Sequence, residues 1–90
     1  MSILKTCKFT QEAWADYLEI KSQDAKMAEK IKKLIQNIMD TPFDGLGKPE
    51  PLKYSLTGCW SRRINQQHRL VYKVVDDGFQ IISCKYNYVK

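Results

Sequence analysis

Apolar residues recur along this chain with two different periods, and the change from one to the other divides the sequence near its middle. Between Ala25 and Asp40, Met27, Ile31, Leu34, Ile35, Ile38 and Met39 share one face of a 3.6-residue repeat. Lys26, Glu29, Lys30, Lys32, Lys33 and Gln36 lie mostly elsewhere on the wheel, so this segment is predicted to be an amphipathic helix with a core-facing stripe and a solvated basic back. An earlier helix is predicted from Gln11, with Thr10 as its cap and Glu12 in its first turn. Trp14, Tyr17 and Leu18 stand at the i, i+3 and i+4 positions of its apolar face. The stretch Ser22 to Asp24 interrupts the pattern and offers the second helix a cap. Residues 3–9 read as a short opening strand.

Thr41-Pro42-Phe43-Asp44-Gly45 carries turn chemistry, and a Gly- and Pro-rich loop follows to Pro51. After it the period becomes two. Four strands are expected, at 52–57, 59–65, 68–75 and 79–88, broken at Gly58, Gln66-Gln67 and Asp76-Asp77-Gly78. Asp77-Gly78 is a strong hairpin signal. The predicted order β-α-α-β-β-β-β makes an α+β domain with two N-terminal helices packed on a mostly antiparallel sheet.

Alternation assigns Trp60, Ile64, Leu70, Tyr72, Val74, Ile82, Cys84 and Tyr86 to the face against the helices. Ser61, Arg63, Asn65, Arg69, Val71, Lys73, Ser83, Lys85 and Asn87 fall on the other face. Arg62 is the exception, because strict alternation turns it inward; an edge position or a snorkelling side chain is the expectation.

Composition narrows the class. Ninety residues at 43% hydrophobic and 28% charged exclude a disordered or membrane-spanning chain, and predict one domain over 1–90. Met1-Ser2-Ile3-Leu4 runs into Lys5 and Lys8 without an apolar stretch long enough for a signal peptide or a span. Three widely spaced cysteines, Cys7, Cys59 and Cys84, point to reduced, buried thiols rather than disulfides or a zinc site, as in a cytoplasmic protein. The net charge of +5 favours a polyanionic partner, a signal that gains weight because the basic residues segregate onto one sheet face.

The candidate chemistry lies at Gly47-Lys48-Pro49-Glu50-Pro51-Leu52-Lys53. Two prolines hold Glu50 on stiff, non-helical backbone, and basic residues follow at strand spacing. One carboxylate held against several cations suits phosphodiester cleavage: a base for the attacking hydroxyl, and positive charge for the phosphoryl oxygens. A cationic sheet face beside it suits single-stranded RNA, with a merely solvated sheet face as the alternative. The plainer alternative is an exposed loop carboxylate paired with a lysine. His68, the sole histidine, falls by alternation on the face opposite Arg69 and reads as a structural residue at a strand start.

Thr41-Pro42-Phe43-Asp44-Gly45, Gly47 to Lys53, Gly58-Cys59-Trp60-Ser61-Arg62-Arg63-Ile64 and His68-Arg69-Leu70-Val71-Tyr72 resemble the YoeB/Txe toxins of the RelE superfamily. The likeness covers almost the whole chain and is strongest from Thr41 to Tyr72. It implies a toxin of a type II toxin–antitoxin module, with the RelE-like microbial ribonuclease-type fold. Such a toxin enters the ribosomal A site, cleaves messenger RNA there and is inhibited by a YefM-like antitoxin. It also implies a homodimer and a cofactor- and metal-free reaction. Carried over by position, Glu50 matches the general base, Arg69 the arginine that stabilises the scissile phosphate, and Lys53 and Arg63 supporting basic positions. Tyr88 matches the family's near-terminal tyrosine.

Asn87 departs from that pattern, which has a histidine there as general acid. An amide transfers no proton near neutral pH, so the resemblance implies an impaired nuclease, natural or selected, unless Tyr88 or His68 serves instead. A non-catalytic, antitoxin-binding protein of the same fold is the alternative. A gyrase poison of the ParE type is disfavoured, since those relatives lack the combined Glu50, Arg63 and Arg69.

Overall fold

The structure, a computed structural model, describes residues 3–86. Strand β1 (Thr6–Phe9) leads into α1 (Gln11–Gln23) and α2 (Ala25–Asp40); β2 (Glu50–Pro51), β3 (Trp60–Arg63), β4 (Arg69–Val75) and β5 (Gly78–Tyr86) follow. The sheet order is β1-β5-β4-β3-β2, antiparallel throughout except for the parallel β1–β5 pair. The α+β architecture expected from the periodicity is the one observed.

Both predicted helix starts are capped as the residue types require. Thr10 Oγ1 accepts from Ala13 N at 3.0 Å, and Asp24 Oδ1 accepts from Met27 N at 3.1 Å. The α2 stripe is buried at Ala28, Ile31, Leu34 and Ile38, against Leu70, Tyr72, Phe79, Ile81 and Cys84 of the sheet. On α1 the buried face is Ala13, Tyr17 and Ile20, not the predicted Trp14-Tyr17-Leu18 set. Trp14 and Leu18 are each 47% exposed. The small Ala13 lets the helix approach the sheet, and the Trp14 ring stacks on Tyr17 and meets the edge of Phe9.

Three strand expectations need correction. The segment 52–57 is not a strand: pairing stops at Pro51, and Tyr54–Leu56 forms a 3₁₀ turn. Pro49 and Pro51 restrict pairing to an edge, and Tyr54 adopts φ 59° where a strand needs an extended backbone. In β5 the pairing register shifts between Tyr72↔Ile81 and Arg69↔Tyr86, so alternation slips. Ile81 and Cys84 consequently enter the helix-side core, while Ile82 and Tyr86 join a second apolar cluster with Leu52, Leu56, Cys59 and Val71. The β4–β5 turn is centred on Asp76-Asp77; Gly78 opens β5, where an added Cβ would stand 2.1 Å from Thr6 Oγ1.

Among the described residues no helix is long and apolar enough to cross a membrane. The three cysteines are free; Cys59 and Cys84 are buried and Cys7 half-buried. Burial pushes the Cys7 thiol up to about 11 and the Cys84 thiol up to about 12, the nearby Asp16 charge adding to the latter.

Candidate active site

The loop that carries Glu50 is fixed from below by an arginine. Arg62 is wholly buried, and all five of its N–H donors have acceptors. Nε donates to Tyr72 Oη at 3.0 Å, and Nη1 to Asn37 Oδ1 at 2.7 Å and the Leu46 carbonyl at 2.9 Å. Nη2 donates to the carbonyls of Thr41 at 2.6 Å and Asp44 at 3.0 Å. Tyr72 Oη in turn donates to the Pro42 carbonyl at 2.7 Å. One guanidinium thus collects the inward-facing carbonyls of 41–46, groups that would otherwise be buried without partners. Burial raises the Tyr72 pKa, and the adjacent Arg62 charge partly opposes that rise. The expected edge or snorkelling position for Arg62 is therefore wrong: its inward alternation was the true signal, satisfied by carbonyls that no local pattern reveals.

Beyond that knot the backbone turns through Gly47 (φ 79°) and Lys48 (φ 51°). A Cβ on Gly47 would lie 3.0 Å from the Arg63 carbonyl and 3.0 Å from Leu34 Cδ2, so only glycine fits this close approach without displacement. The Gly47 carbonyl accepts from Arg63 N at 2.7 Å, pinning the loop to β3. Glu50 then pairs with Ser61 across β2–β3.

Arg69 meets Glu50 on the sheet face away from the helices. Its Nη2 lies 3.3 Å from Glu50 Oε1 and donates to the Lys48 carbonyl at 3.1 Å, while Nε donates to Ser61 Oγ at 2.8 Å. The Arg69 side chain is only 9% exposed, whereas that of Glu50 is 53% exposed. A guanidinium held by two neutral oxygens therefore sits beside a carboxylate open to solvent. Such a pair offers a proton acceptor and a fixed cation to one ligand, and its carboxylate partner is open to solvent on the side a ligand would approach. Among the described residues Arg69 Nη1 makes no hydrogen bond, which leaves donors for an anion.

Arg63 is the direct cross-strand neighbour of Arg69 and is exposed. Like charges directly opposite on a sheet repel, an arrangement that a bound anion relieves. Lys53 is exposed at the start of the 3₁₀ turn, two residues past β2. Of the predicted site residues, the structure brings together Glu50, Arg69 and Arg63; Asn87 and Tyr88 lie outside the described residues. Lys85 leaves the basic face, because its ammonium pairs with Glu19 of α1. Val71 is also covered, by the 52–59 segment. The cationic face is thus narrower than alternation implied. His68 stands at the entry to β4, where its amide donates to Asn65 Oδ1 at 2.7 Å; its Nδ1 is buried with no partner among the described residues.

Sequence reasoning missed Ser61 and the Lys48 carbonyl as the groups that fix Arg69. Alternation puts Ser61 on the observed face, but its role depends on the β3–β4 register, which the sequence does not state. Gly47 carried a legible signal as a glycine next to the Lys-Pro-Glu-Pro run.

The matching family model is described as "YoeB-like toxin of bacterial type II toxin-antitoxin system" and covers residues 9–88. The chain is 50% identical over 80 residues to toxin YoeB of Escherichia coli K12, covering 89% of this chain and 95% of that one. A solved YoeB dimer from Staphylococcus aureus superposes with a TM-score of 0.88 at 45% identity, covering 97% of this chain and all of that one (100%). The toxin chain in a heterotetrameric YoeB–YefM complex from the same species gives 0.85 at 46% identity, covering 92% and 97%. The matched range spans Glu50, Arg63 and Arg69, which the fold brings together across β2, β3 and β4. This chain belongs to the YoeB family of type II toxin–antitoxin toxins.

Proposed function

We propose that the protein is a ribosome-dependent endoribonuclease that cleaves messenger RNA in the A site, with its rate limited by Asn87. The observation that carries this reading is the Glu50–Arg69 pair: an accessible carboxylate 3.3 Å from a guanidinium whose other bonds already fix it. Glu50 takes the proton of the ribose 2′-hydroxyl, and the 2′-oxygen attacks the adjacent phosphorus. Arg69, with Arg63 opposite it and Lys53 as a supporting cation, holds the charge that grows on the phosphoryl oxygens. The bond from phosphorus to the 5′-oxygen breaks, leaving a 2′,3′-cyclic phosphate or the 3′-phosphate from its hydrolysis. The departing 5′-oxygen takes its proton from water, or from Tyr88, because Asn87 has none to give. A missing positioned acid slows such a step by about 10²- to 10⁴-fold.

As in the S. aureus complex, the partner is a YefM-like antitoxin, and as in the S. aureus dimer the toxin self-associates. The site of action is the cytoplasm, where ribosomes present the messenger. Asn87 favours a second reading, a non-catalytic protein that binds the antitoxin without cutting RNA. Cleavage on programmed ribosomes separates the two. The Asn87→His variant is expected to cut strongly, this chain weakly, and Asn87→His combined with Glu50→Gln not at all. Silence from Asn87→His sinks the nuclease and leaves the binding protein.

A further inference from the structure

Tyr54 is 91% exposed, far more than any other large apolar or aromatic side chain described in the molecule. Its backbone is left-handed (φ 59°), a conformation uncommon for bulky side chains. The turn around it is nevertheless tightly bonded. Leu56 N donates to the Lys53 carbonyl at 3.1 Å, and Thr57 donates to the Tyr54 carbonyl through both N (3.0 Å) and Oγ1 (2.7 Å). Leu52 N to Cys59 O and Cys59 N to Leu56 O, both 2.9 Å, close the base of the turn. Leu56 anchors it by packing against the Leu52, Cys59 and Val71 cluster. The fold therefore holds a tyrosine ring in water on a rigid, unfavourable backbone. Neither core packing nor solubility accounts for that, and strained residues over-determined by their surroundings concentrate where ligands bind.

Position identifies the ligand. Val71, under the turn, alternates with Arg69 along β4 and pairs with Ser61, so the turn sits on the same sheet face as the Glu50–Arg69 pair. Tyr54 follows Glu50 by four residues, which limits their Cα separation to about 14 Å. Lys53 adjoins it, and Lys73 Cε lies 3.9 Å from where a Gly58 Cβ would be, at the far end of the turn. An exposed aromatic ring next to Lys53, on a turn that starts within a few residues of Glu50 and on the same sheet face as Arg69, matches how single-stranded nucleic acid is held: cations track the backbone and a ring carries a base. We infer that Tyr54 is a stacking platform for a nucleobase of the RNA strand flanking the scissile phosphate, a role that rests on the nuclease reading of the Glu50–Arg69 site.

The test uses programmed ribosomes with 2-aminopurine in the A-site codon, whose fluorescence falls when the base stacks. This chain, carrying Asn87, is expected to quench the probe on binding, and Tyr54→Phe to quench it equally. Tyr54→Ala should bind about 5- to 150-fold more weakly without quenching. A Tyr54→Gly variant should show the same loss with a Tm no lower than the parent's, since glycine accepts the left-handed backbone. That outcome separates stacking from a folding defect. No quenching by this chain at saturation, or full quenching by Tyr54→Ala, overturns the assignment. So does a Tyr54→Ala variant that keeps quenching and loses only YefM binding, which transfers Tyr54 to a protein partner. Cleavage by Asn87→His is scored in parallel. Quenching without cleavage removes the nuclease and keeps the stack, whereas cleavage without quenching does the reverse.

Discussion

Arg62 and Arg69 stand on neighbouring strands and point to opposite faces of the sheet, and both are withdrawn from solvent. Arg62 has every donor occupied by a fixed neutral oxygen, so nothing remains for a ligand. Arg69 is bonded just enough to be immobile, through Ser61, the Lys48 carbonyl and Glu50. The difference is one of saturation rather than burial. A guanidinium with all five donors engaged is scaffold; one with donors left over among the described residues, next to an open carboxylate, is available to a ligand.

The sharpest way to break this contrast is to exchange its consequences. Arg62→Ala should leave five oxygens without their donor and a void at the loop base, lowering unfolding free energy by about 3–5 kcal/mol. Urea unfolding with an unchanged m-value measures this. A loss below about 1 kcal/mol would show that the knot is decorative. Arg69→Lys in an Asn87→His background should do the opposite. Cleavage should drop by about 10²-fold or more as the planar fork is lost, with Tm within a few degrees of the parent. If unfolding dominates there instead, Arg69 belongs with Arg62.

Intermediate effects test the link between the two regions. Tyr72→Phe removes the Arg62 Nε acceptor and the Pro42 bond, and should cost about 1–3 kcal/mol while leaving the cleavage rate of the folded fraction unchanged. Gly47→Ala meets the Arg63 carbonyl and adds backbone strain, and should cost about 1–3 kcal/mol and also slow cleavage, because Lys48 and Glu50 move together. A stability loss with a full cleavage rate would uncouple the loop from the site.

The effect with no counterpart at neutral pH is alkaline. The thiols of Cys7 and Cys84 are pushed up from 9.0 to about 11 and about 12, so above pH 9 the unfolded chain sheds protons that the folded chain keeps. Stability should be flat in this respect below pH 9 and fall as pH rises beyond it. Thermal unfolding of Cys84→Ala against the parent from pH 8 to 11 should show a shallower decline in the variant.

The elements were legible wherever one period ran without interruption. α2 and β4 follow from their own residues, as do the caps at Thr10 and Asp24, because those signals are local. What escaped depended on contacts across the chain. The slip in β5 moves Ile82 and Tyr86 to the other face through a register shift that strict alternation cannot anticipate. The 3₁₀ turn at Tyr54 hides inside a run that reads as a strand. The Lys85–Glu19 pair joins elements far apart in sequence and removes a cation from the expected surface. At the site, Glu50, Arg63 and Arg69 were visible as residue types, whereas Ser61 and the Lys48 carbonyl, which make Arg69 rigid, appear only once the strands are paired.

The parallel pairing of β1 with β5 bears on biosynthesis. Thr6 lies against Gly78, and Thr10 reaches Ile82 across 72 positions of sequence. The strand made first cannot find its neighbour until nearly all of the sheet's sequence has emerged, so the nascent chain passes through a stage in which β1 and α1 lack the β5 surface they cover. For a protein whose proposed target is the ribosome, this order of synthesis leaves the sheet unfinished, and α1 partly uncovered, until β5 has been made.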